Sequence, residues 1–334
     1  MTVAKSETQV ERRANPRSGD RMASSTLLRF PKSAPLTRAV RAPARQASRN
    51  WLVASFDAID LTQLNTKADM LKRLDNKYVI RSDILQGAIP LFARYFDILE
   101  MQGKRAFAYD TTYFDDNERT TYFEHHQGRR QRCKVRIRRY NDAQACFVEV
   151  KLKDKRGITV KKRLEYPIEK YGVLDERAMT FIQKTYHAMY GRDFDLVLQP
   201  VLEVRYQRIS LVAKQGGERM TIDSRMVFAT AAAATNVDED IFIVETKSAN
   251  ANGIADKILR SLHQHRASYC SKYCIAAASL GLVLKQNNFF PVLRKLDLSG
   301  VRNETRRPMI GLSRQATEHG SSAMLPTLET AGAI

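Results

Sequence analysis

Between Arg129 and Arg163 the sequence carries fourteen Lys and Arg residues against three acids, Asp142, Glu149 and Asp154. Many of these bases alternate with apolar residues at a period of two, the spacing that gathers one set of side chains on one face of a β-strand. Lys134, Arg136, Arg138 and Tyr140 share such a face, with Cys133, Val135 and Ile137 behind it. After a turn at Asn141 and Asp142, Phe147, Glu149, Lys151 and Lys153 form the next face, backed by Val148, Val150 and Leu152. A second turn containing Gly157 leads to Thr159, Lys161, Arg163 and Glu165, backed by Val160 and Leu164. The ordinary use of such a ribbon is a half-buried sheet with its polar face in water. A solvated face mixes signs, because like charges directly across two strands repel, yet bases dominate all three strands here. The chemistry implied is the gripping of an anion. Glu149, alone among those bases, is suited to pairing with a lysine or to holding a divalent cation that rides on phosphates.

The elements that must position this ribbon repeat its pattern at lower charge. Strands are expected at Lys77–Ile80, 106–114, 120–124, 202–212, 219–223 and 241–247, with Asp115, Asp116 and Asn117 joining the second and third. The later strands set Tyr206 with Arg208, Arg219 with Thr221 and Asp223, and Ile243 with Glu245 and Lys247. Helices are expected around Trp51–Ile59 and Leu61–Leu74, over Ser82–Tyr95 with an interruption at Pro90, over Leu174–Tyr190 with Met179, Ile182, Tyr186 and Met189 as its apolar stripe, and over Ile254–Leu284. About eight antiparallel strands with polar residues on a common face imply a closed barrel lined by charge and covered outside by helices, which makes a tunnel for a polyanion.

Composition sets the frame. The 334 residues carry a net charge of +19, which calls for an anionic partner. Of that charge +8 falls in residues 1–50, an arm rich in Arg, Ser, Pro and Ala. It reads as disordered: a solvated tail, an overlong gene start before Met22 or Met70, or a weak tether to nucleic acid or an acidic membrane. The remaining surplus equals that of Arg129–Arg163. Residues 285–334 read as a disordered tail, which leaves 51–284 as the folded domain. The longest apolar run, Ile275–Leu284, is about half of what a membrane-spanning helix needs. The N-terminus has no secretory h-region, so the cytoplasm is the expected location. Cys133, Cys146, Cys270 and Cys274 contain no CxxC pair and read as reduced thiols. His125 and His126 are adjacent, and His263 and His265 lie two apart, so neither pair faces one metal. There is no G-x-x-x-x-G-K-[ST] loop, no G-x-G-x-x-G, and no RNP-like, helix-turn-helix or zinc-finger signature.

Taken in order, the motifs resemble the VTC domain, the polyphosphate polymerase module of the triphosphate tunnel (CYTH-like) superfamily. They are R-x-D-x-K-Y (Arg73, Asp75, Lys77, Tyr78), Tyr113-Phe114-Asp115, K-x-R-x-R-x-Y (Lys134 to Tyr140), E-x-K (Glu149, Lys151), V-K-K-R (Val160 to Arg163), Y-x-R (Tyr206, Arg208), R-x-T-x-D (Arg219 to Asp223), E-x-K (Glu245, Lys247) and S-K-Y (Ser271 to Tyr273). The resemblance covers roughly residues 56–284. It implies an α+β fold: an antiparallel eight-stranded β-barrel tunnel with flanking helices. It also implies an ATP-dependent polyphosphate polymerase, a phosphotransferase that moves the γ-phosphoryl group onto a polyphosphate chain with Mn²⁺ or Mg²⁺. On that reading Lys77, Arg136, Arg138 and Lys151 stand at the reacting phosphates, while Lys161, Arg208, Arg219, Ser271 and Lys272 hold the rest of the substrate. Glu245 is the metal ligand, and Glu149 is either a second one or an ion-pair partner. Two positions depart from the wider pattern. Arg73 and Asp75 stand where the superfamily commonly opens with E-x-E-x-K, and Tyr269 replaces a basic residue two positions before Ser271. The same tunnel with water as acceptor would be a metal-dependent inorganic triphosphatase, and without turnover it would be a polyphosphate or nucleotide sensor.

Overall fold

The computed structural model describes residues 47–67 and 74–298, so the expectations for residues 1–46, Arg73 and residues 299–334 lie outside the described residues. In chain order the elements are β1 (Asp57–Ile59), α1 (Leu61–Lys67), β2 (Leu74–Arg81), α2 (Ser82–Ala93), β3 (Phe96–Leu99), β4 (Phe107–Asp115), α3 (Thr120–His126), β5 (Arg132–Tyr140), β6 (Ala145–Lys153) and β7 (Thr159–Glu165). There follow α4 (Glu176–Tyr190), β8 (Gln199–Ala213), β9 (Arg219–Ala229), β10 (Ala234–Asn236), β11 (Ile241–Ser248), α5 (Ile254–Ser261), α6 (Lys272–Ser279) and α7 (Phe290–Lys295).

The strands form one sheet whose main path runs β2-β11-β9-β8-β4-β5-β6-β7, antiparallel throughout. β1 adds a parallel pair to β3, which joins β8. The fold is thus α+β with an eight-strand antiparallel path, as expected. The barrel differs in being open: β7 and β2 end the path without pairing to each other. Both edges carry a basic surplus. β7 carries Lys161, Lys162, Arg163 and Glu165, and β2 carries Asp75, Lys77 and Arg81.

Alternation along the strands divides the sheet into two faces. Ile80, Ile209, Leu211, Met220, Ile222, Phe242 and Val244 point outward into a core closed by α2 and α5. Val135, Ile137, Val148, Val150 and Leu152 point outward into a second core under α4, whose Ala178 and Ile182 are fully buried. Helix α4 starts where expected because the Asp175 side chain accepts from the Ala178 N–H at 2.9 Å, an N-cap. The inner face is not left wholly to solvent. α6 and α7 pack against it through Tyr273, Cys274, Val292 and Leu293, meeting Tyr113, Val204, Tyr206 and Phe228.

Several local expectations give way to specific contacts. Thr120–Glu124 is the start of α3 rather than a strand, because Asp116 and Asp115 accept from the first free N–H groups of that turn. Thr120 N donates to Asp116 at 2.7 Å, while Thr121 N and Tyr122 N donate to Asp115 at 3.0 and 3.1 Å. Trp51–Ile59 is a 3₁₀ turn over Ala47–Leu52 followed by β1. Pro90 lies within α2 without ending it; its ring is exposed, and the buried stripe of Leu85, Ala88, Ile89 and Phe92 holds the helix on the core. The expected single helix over Ile254–Leu284 is broken into α5 and α6, because the chain must pass from the outer to the inner face. The crossing segment has positive φ at His263 and Tyr269, and its Ala267 N–H donates to Lys77 O at 2.7 Å, covering part of the β2 edge. The expected loose tail from residue 285 is folded as far as Leu298. Phe289, Leu293, Leu296 and Leu298 are buried, apolar anchors among polar residues too sparse to show a period. All four cysteines are free and buried. No helix among the described residues is long and apolar enough to cross a membrane.

Candidate functional site

The three basic strands meet in register. Lys134 of β5 stands opposite Lys151 of β6, which stands opposite Lys161 of β7, so three lysines form a row across the inner face. The neighbouring row is Arg136, Glu149 and Arg163. The period-two pattern dictates these rows once the hairpin turns at Asn141 and Gly157 set the register.

Each inner carboxylate gathers cations around it. Glu149 is 1% exposed and holds three: Arg136 Nε and Nη2 at 2.7 and 2.6 Å, Arg138 Nη1 at 3.7 Å, and Lys161 Nζ. Burial opposes its ionisation, yet Arg136, Arg138 and Lys161 outweigh burial and hold its pKa far below the usual carboxylate range. Asp223 of β9, fully buried, accepts a two-pronged grip from Arg208 at 2.6 and 2.8 Å and also pairs with Lys272 at the start of α6. Its pKa is lowered to about 2, because Arg208 and Lys272 win over burial. Glu245 of β11 pairs with Lys77 at 2.8 Å and with Lys247 at 2.7 Å.

Aromatic rings supply the floor. Tyr109 and Tyr206 stack at 5.3 Å with Arg138 and Arg208 over both rings, and Lys272 Nζ lies 5.0 Å from the Tyr206 centroid. The negative ring faces allow these cations to crowd together. Tyr113 stacks on Tyr273, and its hydroxyl accepts from Arg136 Nη1 at 3.1 Å. Among the described residues the buried Tyr206 hydroxyl and Thr221 Oγ1 have no hydrogen-bond partner.

On the inner face, Lys134 and Lys151 have no carboxylate partner among the described residues. Lys134 Nζ donates to Ser271 Oγ at 2.9 Å and meets His125 Nδ1 at 3.1 Å; burial lowers its pKa. Among the described residues Lys151 has no hydrogen-bond or ion-pair partner, and its side chain is open to water although protein surrounds it. Desolvation in that concavity, then the charge of Lys77, lowers its pKa to about 7. Lys161 is lowered to about 8, again chiefly by desolvation, with Glu149 acting the other way.

The structure therefore brings Lys77, Arg136, Arg138, Glu149, Lys151, Lys161, Arg208, Glu245, Ser271 and Lys272 to the inner face. Arg219 lies at its margin, where Nη2 donates to Asn65 Oδ1 at 3.1 Å and to Leu64 O at 3.5 Å of α1. Sequence reasoning assigned no site role to Asp223, Lys134, Lys247, His125, Tyr109 or Tyr113. The first three sat in the quoted motifs on the right strand parity, which was a usable signal; His125 comes from α3, which no strand pattern could reveal.

The metal donors are sparse. Among the described residues no three His, Cys, Asp or Glu side chains come together. Glu149 has its oxygens taken by three cations and Tyr140, so it suits an ion-pair role. Glu245, 12% exposed as a side chain, fits a hard cation that takes most of its oxygens from substrate phosphates and water.

The sequence matches the VTC domain model over residues 72–281, which takes in every strand of the eight-strand path and α6. The chain belongs to the VTC domain family. No curated protein matches it significantly. Among solved structures, the PH1819 protein of Pyrococcus horikoshii OT3 is 14% identical with a TM-score of 0.38, over 62% of this chain and 98% of that one. The Hippeastrum protein HpAC1, described as having a dominant triphosphatase activity, is 12% identical with a TM-score of 0.37, over 64% of this chain and 99% of that one. In this VTC domain Ser271, Lys272 and Tyr273 fall at the N-terminus of α6, with Ser271 facing Lys134 and Lys272 facing Asp223.

Proposed function

We propose that this VTC domain is a polyphosphate polymerase that binds ATP and a polyphosphate end in the open tunnel and transfers the γ-phosphoryl group between them. The observation that carries the reading is the row Lys134, Lys151 and Lys161: three lysines directly opposed across strands, of which only Lys161 has a carboxylate partner, so that charging the other two favours an anion among them. Phosphoryl transfer through a loose transition state needs in-line positioning and charge neutralisation more than it needs a protein nucleophile. The residues divide along those lines. Arg136, Arg138 and Arg208 present planar forks suited to phosphate oxygens, already oriented by Glu149, Asp223 and the tyrosine floor. Lys77, Lys151, Lys161 and Lys272 are mobile point charges that follow the phosphate chain, and Arg219 meets it at the margin. Ser271 and the unpaired Tyr206 hydroxyl supply neutral donors. Mg²⁺ or Mn²⁺ held by Glu245 would neutralise charge on the phosphate oxygens.

Purified protein given ATP and Mn²⁺, with and without a short polyphosphate primer, should release ADP in step with polyphosphate and yield little free phosphate. Free phosphate from triphosphate would instead make the chain a hydrolase, and saturable binding without turnover would make it a sensor.

The lysines give the reaction a pH signature. With Lys151 near 7 and Lys161 near 8, raising the pH from neutrality to 9 removes positive charge from the empty tunnel, so tripolyphosphate affinity should fall over that range. Binding raises both pKa values, so protons should be taken up at pH 8; calorimetry in buffers of different ionisation enthalpy reads this directly. Lys151→Arg, which does not titrate there, should flatten the profile and reduce the uptake. A flat wild-type profile would remove Lys151 from the phosphate path.

A further inference from the structure

More than half of the fourteen bases between Arg129 and Arg163 are not used by the site, and their placement is not random. Two residues beyond the lysine row, past the outward Cys133–Leu152 pair, Arg132 of β5 stands opposite Lys153 of β6, on the same inner parity as Lys134 and Lys151. Arg129 and Arg130 precede this pair, and Lys155 and Arg156 lie in the turn that follows it; all four are exposed. The acid within that turn, Asp154, is occupied in shaping it: its Oδ1 accepts from the N–H groups of Arg156 and Ile158 at 2.9 and 2.7 Å. Among the described residues Arg130, Lys153, Lys155 and Arg156 have no ion-pair partner, and Arg132 donates to the carbonyl of Arg129 at 2.5 Å. Burial, and after it the charges of Lys134, Arg132, Lys151 and Lys153, push the His125 pKa well down. By register the outer pair is the next pair of the same parity after Lys134 and Lys151 on β5 and β6.

We infer that Arg132, Lys153, Lys155 and Arg156 form an exit track on which inorganic polyphosphate, longer than the tunnel can hold, continues past the Lys134–Lys151–Lys161 row. The inference rests on the proposed function and deepens it, because a triphosphate has no use for cations beyond the row, whereas a growing chain does. From the Arg136–Glu149 row to the Arg132–Lys153 row is four residues, roughly 13 Å along the strand, so the track begins where a short substrate ends. Continuity with a phosphate-gripping row favours the same inorganic polyanion over RNA. None of these four residues is among those assigned to the phosphates in the tunnel.

The test compares tripolyphosphate with long-chain linear polyphosphate as ligands for the wild-type protein and for the variant carrying Arg132→Gln, Lys153→Gln, Lys155→Gln and Arg156→Gln. Melting curves confirm that both are folded. Wild type should bind the long chain more tightly. The variant should keep its tripolyphosphate affinity, lose about tenfold or more for the long chain, and show a shallower salt dependence for it, by roughly 0.7 in the log–log slope per lost contact. The charge-preserving Arg132→Lys, Arg156→Lys variant should resemble wild type. Unchanged long-chain affinity in the Gln variant overturns the track, as does an equal loss of both ligands, which would place these residues in the triphosphate site. Loss of single-stranded RNA binding with polyphosphate binding intact would overturn it in favour of nucleic acid. A wild-type protein that binds neither phosphate ligand defeats the functional reading itself, and the track with it.

Discussion

Glu149→Ala is expected to lower the melting temperature by roughly 10 °C while improving the protein's response to tripolyphosphate. The carboxylate is 1% exposed and pairs with Arg136, Arg138 and Lys161, so its removal leaves three cations close together with nothing between them. Breaking a buried ion pair from one side costs about 3–5 kcal/mol, and each kcal/mol moves the melting point of a domain this size by roughly 2–4 °C. A phosphate entering the tunnel can take the place of the missing carboxylate. Saturating tripolyphosphate should therefore raise the variant's melting temperature by more than it raises that of wild type. Acid provides a second reading of the same residue. Because its folded pKa is depressed, Glu149 contributes stability that is present above the ordinary carboxylate value and lost as the pH falls below it, and Glu149→Gln should blunt acid unfolding. If Glu149→Ala melts like wild type, the cations are not held together by this residue. If it melts lower but gains no extra stabilisation from tripolyphosphate, the anion does not lie beside it.

Arg136→Ala should reduce tripolyphosphate affinity and phosphoryl transfer by about a hundredfold, the largest loss expected from any single cation in the tunnel. Losing a charge-assisted hydrogen bond costs about 1.5–3 kcal/mol, which is roughly ten- to hundredfold. Arg136 carries a further penalty: without it Glu149 keeps only Arg138 and Lys161, and part of a negative charge is turned toward the substrate. Arg136→Lys, which keeps the charge but not the fork, should recover binding in part and transfer less well. Lys151→Ala should lose less, because that side chain has no partner to strand and is only partly charged near neutrality. Isothermal titration with tripolyphosphate and steady-state kinetics with ATP check both variants. Equal small losses in both would mean that the inner face acts as a diffuse field instead of a set of placed contacts.

The basic ribbon was legible in the sequence because a strand's side-chain period is two and does not depend on what lies beyond the strand. The parity of Lys134, Arg136, Arg138, Glu149, Lys151 and Lys161 follows from local chain geometry, and two short turns fix the register between neighbouring strands. The same local logic located α4, where the apolar stripe and the Asp175 cap agree. Tertiary structure alone decided the features that join distant parts of the chain. Whether the sheet closes depends on β2 and β7, far apart in sequence, and they end the path without pairing. Helix α3 forms against its strand-like composition because Asp115 and Asp116 cap it, with Asp115 itself held by Tyr273 at 2.5 Å. Residues 285–298 look loose by composition but are anchored by Phe289, Leu293, Leu296 and Leu298 in a core their own segment cannot form. Which cations remain available was also settled in three dimensions. Glu149, Asp223 and Glu245 each claim particular partners, and the lack of one for Lys151 is a property of the assembled inner face, since a residue's type fixes its charge but only its neighbours fix how much of that charge is already neutralised.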